Sequence, residues 1–200
     1  MKTPLRYPGG KSRAVETLMS FVPEDCGEIC SPFLGGGSFE LALAEKGIKV
    51  HAYDAFKPIV WFWDAILKDP NKLATMADLY RRKKTYKYTK PGVDKNDNPH
   101  VEQKIRAFGL PEKDFYRFRE EIMFALQSKH PFTFDAAAKV YAINRSSFSG
   151  ATFSGGFSER ASYARFTDSQ IEYIRNFKVD NFTVKCADFK DALKKISTKL

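Results

Sequence analysis

Three consecutive glycines, Gly35-Gly36-Gly37, and the acid Asp54 are the residues whose type and spacing first indicate chemistry. Glycines at a turn from a strand into a helix let a bound nucleotide approach the backbone without meeting a Cβ atom. Asp54 follows Gly35 by nineteen residues, where Rossmann-like folds place a carboxylate that accepts hydrogen bonds from ribose hydroxyls. A tight turn and a solvated aspartate would explain the same residues, so the surrounding elements must decide.

The elements around these residues have the pattern of a βαβ unit. Residues 28–33 form a short apolar stretch, residues 38–46 are good helix formers, and residues 48–53 are strand-like and end on Asp54. This context favours the nucleotide-binding interpretation over an ordinary turn. It disfavours a nicotinamide-dependent oxidoreductase, because Phe39 and Glu40 stand where the last glycine of G-x-G-x-x-G should follow.

A second glycine-containing segment lies near the N-terminus and ends in Gly10-Lys11-Ser12. These residues imitate the end of a phosphate-binding P-loop, but Leu5 occupies the position of a required glycine and no strand leads in. We therefore exclude a kinase or an ATPase. Two glycines and a lysine before a helix, predicted over residues 11–22, are still suited to holding an anionic carboxylate.

The remainder of the chain is predicted to be mostly helical before it returns to a strand. Helical patterns cover residues 59–79, 113–128 and 134–143. Residues 90–99 predict a loop, and residues 146–162, nine of which are Ser or Gly, predict an ordered loop or β-hairpin. A helix starts near Thr167, which has capping-box spacing to Gln170; a strand over 182–187 and a helix over 188–200 follow.

Composition favours a polyanionic partner without proving one. The formal net charge is +9 and the isoelectric point about 9.4, yet many basic proteins bind no nucleic acid. The three cysteines have no metal-ligand spacing, no signal peptide is recognisable, and the longest apolar run is interrupted by Asp64. We therefore expect a cytoplasmic protein with no metal site and no membrane span.

Three ordered motifs give the sequence a specific resemblance. Residues 7–11, residues 31–39 and Tyr53-Asp54 closely resemble the Dam-like adenine-N6 DNA methyltransferases, in the class that has its target-recognition region between cofactor and catalytic motifs. The match continues through residues 115–120 and 141–145 to residues 187–189. The resemblance implies a Rossmann-like α/β methyltransferase fold, with residues 1–54 and 178–200 in a partial cofactor domain and residues 55–177 in an inserted, mostly helical recognition subdomain.

The resemblance also implies a cofactor, S-adenosyl-L-methionine, and the residues that bind it. The methionine end would lie against residues 7–11, the middle against residues 33–38, the ribose against Asp54, and the adenine against Asp188 and Phe189. An ordinary strand-end acid and a core aromatic would also explain the last two. The predicted cofactor residues are Tyr7, Pro8, Gly9, Gly10, Lys11, Phe33, Gly35, Gly36, Gly37, Ser38, Asp54, Asp188 and Phe189.

For double-stranded DNA, two regions are candidates. A basic stretch over residues 81–90 suits phosphate contacts, although a solvated basic loop explains it equally well. The resemblance places residues 144–165 near the target site, where arginines would contact phosphates or guanine edges and a phenylalanine would stack or be core. The predicted DNA-binding residues are Arg81, Arg82, Lys83, Lys84, Lys87, Asn144, Arg145, Phe148, Arg160 and Arg165.

No catalytic residue is predicted within the chain. The family transfers methyl to an exocyclic amine with a motif of Asp or Asn, Pro, Pro, then Tyr or Phe, and no such run occurs in the 200 residues. Three predicted strands would leave a parallel sheet with an open edge. The hypothesis is a split methyltransferase in which a second subunit carries the motif; a truncation, a decayed gene, or a non-catalytic DNA-binding or regulatory protein with this fold are alternatives.

Overall fold

A computed structural model describes residues 1–89, 102–128 and 132–197. In chain order the elements are α1 (Val15–Met19), β1 (Glu28–Ser31), α2 (Ser38–Glu45), β2 (Lys49–Asp54), α3 (Lys57–Lys68), α4 (Pro70–Leu79), β3 (Arg82–Thr89), β4 (Glu102–Gly109), α5 (Glu112–Gln127), α6 (Phe134–Ser146), α7 (Glu159–Arg165), α8 (Asp168–Arg175), β5 (Phe182–Cys186) and α9 (Phe189–Ser197). No described helix is both long enough and apolar enough to cross a membrane.

Three strands form the predicted parallel sheet, in the order β1-β2-β5. The register places Ser31 opposite Ala52 and Asp54 opposite Cys186, so the carboxyl ends of all three strands lie at one edge. The prediction of three strands is confirmed, and the mixed α/β architecture agrees with a methyltransferase fold. β1 ends two residues before the predicted Phe33, because the Leu34 amide turns to donate to Tyr53 O, 2.9 Å away.

Two predicted helical regions are broken by local hydrogen bonding. Residues 11–22 were expected to form one helix, but a 3-10 turn, Lys11–Arg13, precedes α1, since the Ala14 amide donates to Lys11 O at 2.8 Å. Residues 59–79 divide into α3 and α4 at Asp69, whose carboxylate accepts from the Lys72 amide at 2.8 Å and caps the second helix. The expectation of continuous helices there is wrong, although the helical character is confirmed.

The antiparallel β3–β4 pair was not predicted. The basic run over residues 81–90 conceals the alternation of β3, in which one face carries the buried Tyr86. The loop predicted over residues 90–99 lies outside the described residues. Tyr86 and Tyr88 alternate with polar residues in β3, and Ile105 lies between Lys104 and Arg106 in β4; this short alternation is the signal from which the pairing could have been found.

The segment 146–162 is ordered, as expected, but only part of it is a loop. An isolated bridge joins Ser147 to Phe157, and the segment then enters α7, which the sequence had not indicated. Ser158 caps that helix by accepting from the Ala161 amide at 3.2 Å. Thr167 does precede α8, but the predicted capping box is wrong, because its hydroxyl is hydrogen-bonded to the Ser169 hydroxyl instead of to a backbone amide.

The core is built around α3, which packs against both the sheet and α6. Trp63 lies with its ring centroid 5.6 Å from that of Phe182 in β5, and the neighbouring Phe62 stacks on Tyr141 of α6 at 5.4 Å. Buried residues from 55–177 and from the sheet belong to one hydrophobic cluster. The helical region therefore holds the sheet and the loops at its carboxyl edge in a fixed relation.

Candidate functional site

The glycine loop after β1 lies against two aromatic side chains. A Cβ atom on Gly36 would lie 2.8 Å from Cβ of Tyr7, and one on Gly37 would lie 2.6 Å from Cζ2 of Trp63. Gly37 also has a φ of +69°, which side-chain-bearing residues rarely adopt. The indole Nε1 of Trp63 donates to Gly35 O at 3.2 Å. The glycines are therefore needed for the close packing of the loop.

Asp54 fixes the same loop from the end of β2. One carboxylate oxygen accepts from the Gly35 amide at 2.9 Å, and the other accepts from the Phe56 amide at 2.8 Å. Each oxygen retains a second lone pair that can accept a hydroxyl proton. Asp54 thus both builds the turn and offers acceptors to a ligand lying over it. Burial of Tyr7 raises the pKa of its hydroxyl, and the negative charge of Asp54 raises that pKa further.

A cavity of about 440 Å³ opens over this loop, within the usual size of a site for a small organic ligand. The N-terminal segment forms its opposite wall and is tied to α2 by a hydrogen bond of 2.9 Å between the hydroxyls of Ser12 and Ser38. Eleven of the thirteen predicted cofactor residues line it: Tyr7, Pro8, Gly9, Gly10, Lys11, Phe33, Gly35, Gly36, Gly37, Ser38 and Asp54.

The last two predicted cofactor residues follow β5 and lie beside the cavity. The ring of Phe189 stacks on that of Phe33 with centroids 5.6 Å apart, and Phe33 remains 71% exposed. Asp188 is exposed, and one of its oxygens accepts from the Lys190 amide at 2.9 Å. The Phe33–Phe189 stack offers an open aromatic surface on which a flat ring can pack.

A second cavity, of about 640 Å³, adjoins the first and shares Tyr7 and Pro8 with it. Its walls are mainly apolar and include Phe56, Ile59, Met123 and the loop over residues 150–154. Arg119 orders that loop by donating to Phe153 O at 2.6 Å and to Gly155 O at 2.9 Å. The pair of cavities could hold two ligands on either side of one tyrosine.

The family model for D12 class N6 adenine-specific DNA methyltransferases matches residues 7–199. The chain belongs to this family. Enzymes of this D12 family use S-adenosyl-L-methionine as methyl donor and act on adenine in DNA, so the resemblance and the cofactor expected from the sequence are confirmed. A comparison with curated proteins finds no match.

Asn144 and Arg145, expected from the D12 resemblance to approach DNA, are both largely buried in this structure. Asn144 is 2% exposed, and its amide accepts from the Arg6 amide at 2.9 Å while donating to Arg6 O at 2.7 Å and to Thr152 Oγ1 at 2.9 Å. It clamps the segment before Tyr7 to the loop over residues 150–154. Arg145 is 6% exposed, and its Nε donates to Arg165 O at 2.6 Å.

Three guanidinium groups, those of Arg6, Arg145 and Arg165, line a further cavity of about 330 Å³ together with Lys2. None of the eight described residues around it is acidic. Burial, followed by the charges of the other two arginines, lowers the pKa of Arg6, and burial likewise lowers the pKa of Arg145. Such a cluster of cations without a counter-ion is suited to an anion such as a phosphate.

The remaining predicted DNA-binding residues are dispersed. Arg81 is buried in ion pairs with Asp78 and Asp168, and Lys84 pairs with Glu159 at 3.2 Å. On the surface are Arg82, Lys83, Phe148 and Arg160, whereas Lys87 is placed only by its backbone in β3. Among the described residues, none from the basic stretch lines the 440 Å³ cavity.

Glu40 also lines the 440 Å³ cavity, and the sequence had assigned it no role. It is 7% exposed and accepts a hydrogen bond from Ser31 Oγ at 2.6 Å. Burial raises the pKa of Glu40 above its ordinary value of 4.5. Its position in the first turn of the helix that follows the glycine loop is the feature from which its place in the cavity wall could have been inferred.

The substitution Glu40→Gln is expected to change how stability depends on pH. A carboxyl with a raised pKa in the folded state binds a proton on folding, so it favours the folded state at low pH, and this contribution is lost as pH rises from 4.5 through the raised value. The melting temperature of the variant should therefore gain on that of the unsubstituted protein as the pH rises above 4.5. The exposed Glu120→Gln serves as control, and parallel curves for all three proteins would contradict the prediction.

The substitution Gly36→Ala is expected to weaken S-adenosylmethionine binding by about 10-fold. The added methyl group would lie 2.8 Å from Cβ of Tyr7, close to the backbone, so the N-terminal wall of the cavity must shift at a cost of about 1–3 kcal/mol. Isothermal titration calorimetry measures the change. Gly27→Ala is the matched control, since a Cβ there meets no atom within 4 Å; equal losses in both variants would refute the steric explanation.

Proposed function

We propose that this chain binds S-adenosylmethionine in the 440 Å³ cavity and DNA beside it, in an adenine-N6 methyltransferase whose amine-binding motif is carried by a partner chain. The cavity itself is the observation that supports this most strongly. It brings residues 7–11, residues 33–38 and Asp54, which are distant in sequence, around one space of the right size. A module that only bound DNA would have no need of it.

The proposed cofactor contacts follow from the chemistry of the lining. Asp54 accepts from the ribose hydroxyls through its remaining lone pairs, and residues 7–11 hold the methionine end. Phe189, stacked on Phe33, packs beside the adenine, and Asp188 accepts from its amino group. When bound, S-adenosylmethionine supplies an electrophilic methyl group; the residues of this chain orient it and cover the cavity.

For DNA, the proposal assigns residues 55–177 to target recognition. The apolar second cavity, separated from the first by Tyr7 and Pro8, is where a base extruded from the duplex would lie, with Phe148 exposed on the adjoining loop. Arg6, Arg145 and Arg165 would bind a nearby phosphate. Asn144 acts by positioning, since its amide is fully used in holding the loop against Arg6.

The unpaired edge of β1 is the proposed place for the Asp-Pro-Pro-Tyr-type strand. β1 pairs only with β2 among the described residues, and α9 packs across β2 and β1 towards that edge. In doubly wound sheets, ligands bind where the strand order reverses, at the carboxyl ends of the two strands that flank that point. A motif on a strand beside β1 would therefore face the cofactor loop.

Reconstitution tests this function. The purified chain is expected to transfer no methyl group to DNA alone and to do so when the product of a neighbouring reading frame that carries Asp-Pro-Pro-Tyr is added, measured with radiolabelled S-adenosylmethionine. A partner whose motif aspartate is changed to alanine is the control and should leave the mixture inactive. Methyl transfer by the chain alone would refute the partner, whereas failure of the chain to bind the cofactor would refute the proposal as a whole.

A further inference from the structure

The β3–β4 pair forms a ribbon whose inner face is fixed to the body of the protein. The ring centroid of Tyr86, which is only 3% exposed, lies 4.6 Å from that of Tyr163 in α7. The ion pair of Lys84 with Glu159 joins the same two elements, and Ser162 Oγ donates to Leu110 O at 2.8 Å just after β4. These contacts define which side of the ribbon faces inward.

The outer face follows from the register. Residues directly opposite each other in an antiparallel pair share a face, and faces alternate along each strand. Lys83 is paired with Phe108, Thr85 with Arg106, and Lys87 with Lys104, and all three pairs alternate with the inward Tyr86. Among these, the side chains of Lys83, Thr85, Lys104, Arg106 and Phe108 are described and exposed.

This outer face is basic and lacks internal compensation. Within the described part of the chain, no acidic side chain pairs with Lys83, Lys104 or Arg106, in contrast to Lys84 on the inner face. Lys87 and Lys104 stand at directly opposite positions, an arrangement of like charges that destabilises a free ribbon. Glu102 also occupies a position on this face, in the last pair of the ribbon, where it stands opposite Thr89.

We propose that the outer face of the β3–β4 ribbon binds the phosphates of duplex DNA flanking the methylation site. The inference rests on the proposed function only in that the chain binds DNA. Strands of eight residues span about 26 Å, the length of about eight base pairs, and a two-stranded ribbon is narrow enough to enter a major groove about 12 Å wide. The contacts would be with the backbone and therefore independent of sequence.

The test compares the salt dependence of DNA affinity. Binding to a random duplex of about 40 base pairs is measured by fluorescence anisotropy for the full chain and for Lys83→Gln/Lys104→Gln. Two lost phosphate contacts should reduce the slope of log affinity against log salt by about 2, so the unsubstituted chain should lose about 12-fold more affinity between about 50 and about 200 mM salt.

Lys46→Gln/Lys178→Gln removes the same charge from exposed positions outside the ribbon and should keep the slope of the unsubstituted chain. Equal melting temperatures establish that the ribbon variant is folded. An unchanged slope for Lys83→Gln/Lys104→Gln would overturn this inference while leaving DNA binding intact. An equal reduction in both variants would also overturn it, because the effect would then come from net charge alone, and no binding by any of the proteins would overturn the proposed function itself.

Discussion

Replacing Asp54 by asparagine is expected to weaken S-adenosylmethionine binding by about 100-fold, although the side chain keeps its shape. Both carboxylate oxygens accept from backbone amides, those of Gly35 and Phe56. Asparagine has one oxygen, so its amino group would have to face one of these N–H donors, and the loop would lose a charge-assisted hydrogen bond. The ribose would lose a negatively charged acceptor in addition.

Calorimetric titration of the purified chain with S-adenosylmethionine measures this effect without requiring catalysis. Asp25→Asn is the matched control, because it removes the same charge from an exposed side chain in the connection before β1. Its affinity should equal that of the unsubstituted chain. Unchanged affinity in Asp54→Asn would remove Asp54 from the cofactor site.

The largest expected loss of stability comes from Asn144→Ala, at about 3 kcal/mol, or about 6–12 °C in melting temperature for a chain of this size. The truncation removes the hydrogen-bond partner of the Arg6 amide and carbonyl, and the donor to the Thr152 hydroxyl, in a region that water reaches poorly. Unsatisfied buried polar groups each carry a desolvation cost. The loop over residues 150–154 should also become more susceptible to proteolysis.

Thermal unfolding followed by circular dichroism is the measurement, with Asn176→Ala as control. Asn176 lies on the surface, and among the described residues its side chain donates to Glu172 O in the preceding turn, so its loss should change the melting temperature by no more than about 2 °C. If Asn144→Ala behaves like the control, the clamp contributes nothing and a direct role in DNA contact becomes the better explanation for this residue.

Much of the sheet and the cofactor cavity was predictable because their determinants are local. The strand, glycine loop and helix that run into β2 and Asp54 follow from the positions of glycines and apolar residues within a short window. The βαβ arrangement then brings the strand ends to one edge, so the lining of the cavity follows from the topology. For residues 7–11, the glycines and the lysine before a helix indicated an anion site, and the resemblance to a family indicated that this site belongs to the cofactor.

What the sequence did not reveal depends on contacts between distant segments. Asn144 bonds to Arg6, 138 positions away, so the resemblance suggested a DNA-contacting role that the burial of its side chain does not favour. β3 was hidden because its lysines obscure the alternation, and its partner lies beyond residues 90–101. Glu40 looked like an ordinary helix-forming residue until the structure placed it in the wall of the cavity.

Tyr7 and Pro8 form part of the lining of both large cavities. The Tyr7 side chain packs directly on Gly35 and Gly36, so any shift of its ring alters the walls of the two sites together. Under the proposed function, a methyl donor in one cavity and an extruded base in the other are thermodynamically linked: whatever factor the donor adds to the affinity for the base, the base adds to the affinity for the donor. Because of this reciprocity, the final complex does not depend on the order in which the two substrates are added. A larger or smaller side chain at position 7 would change the cooperativity between them.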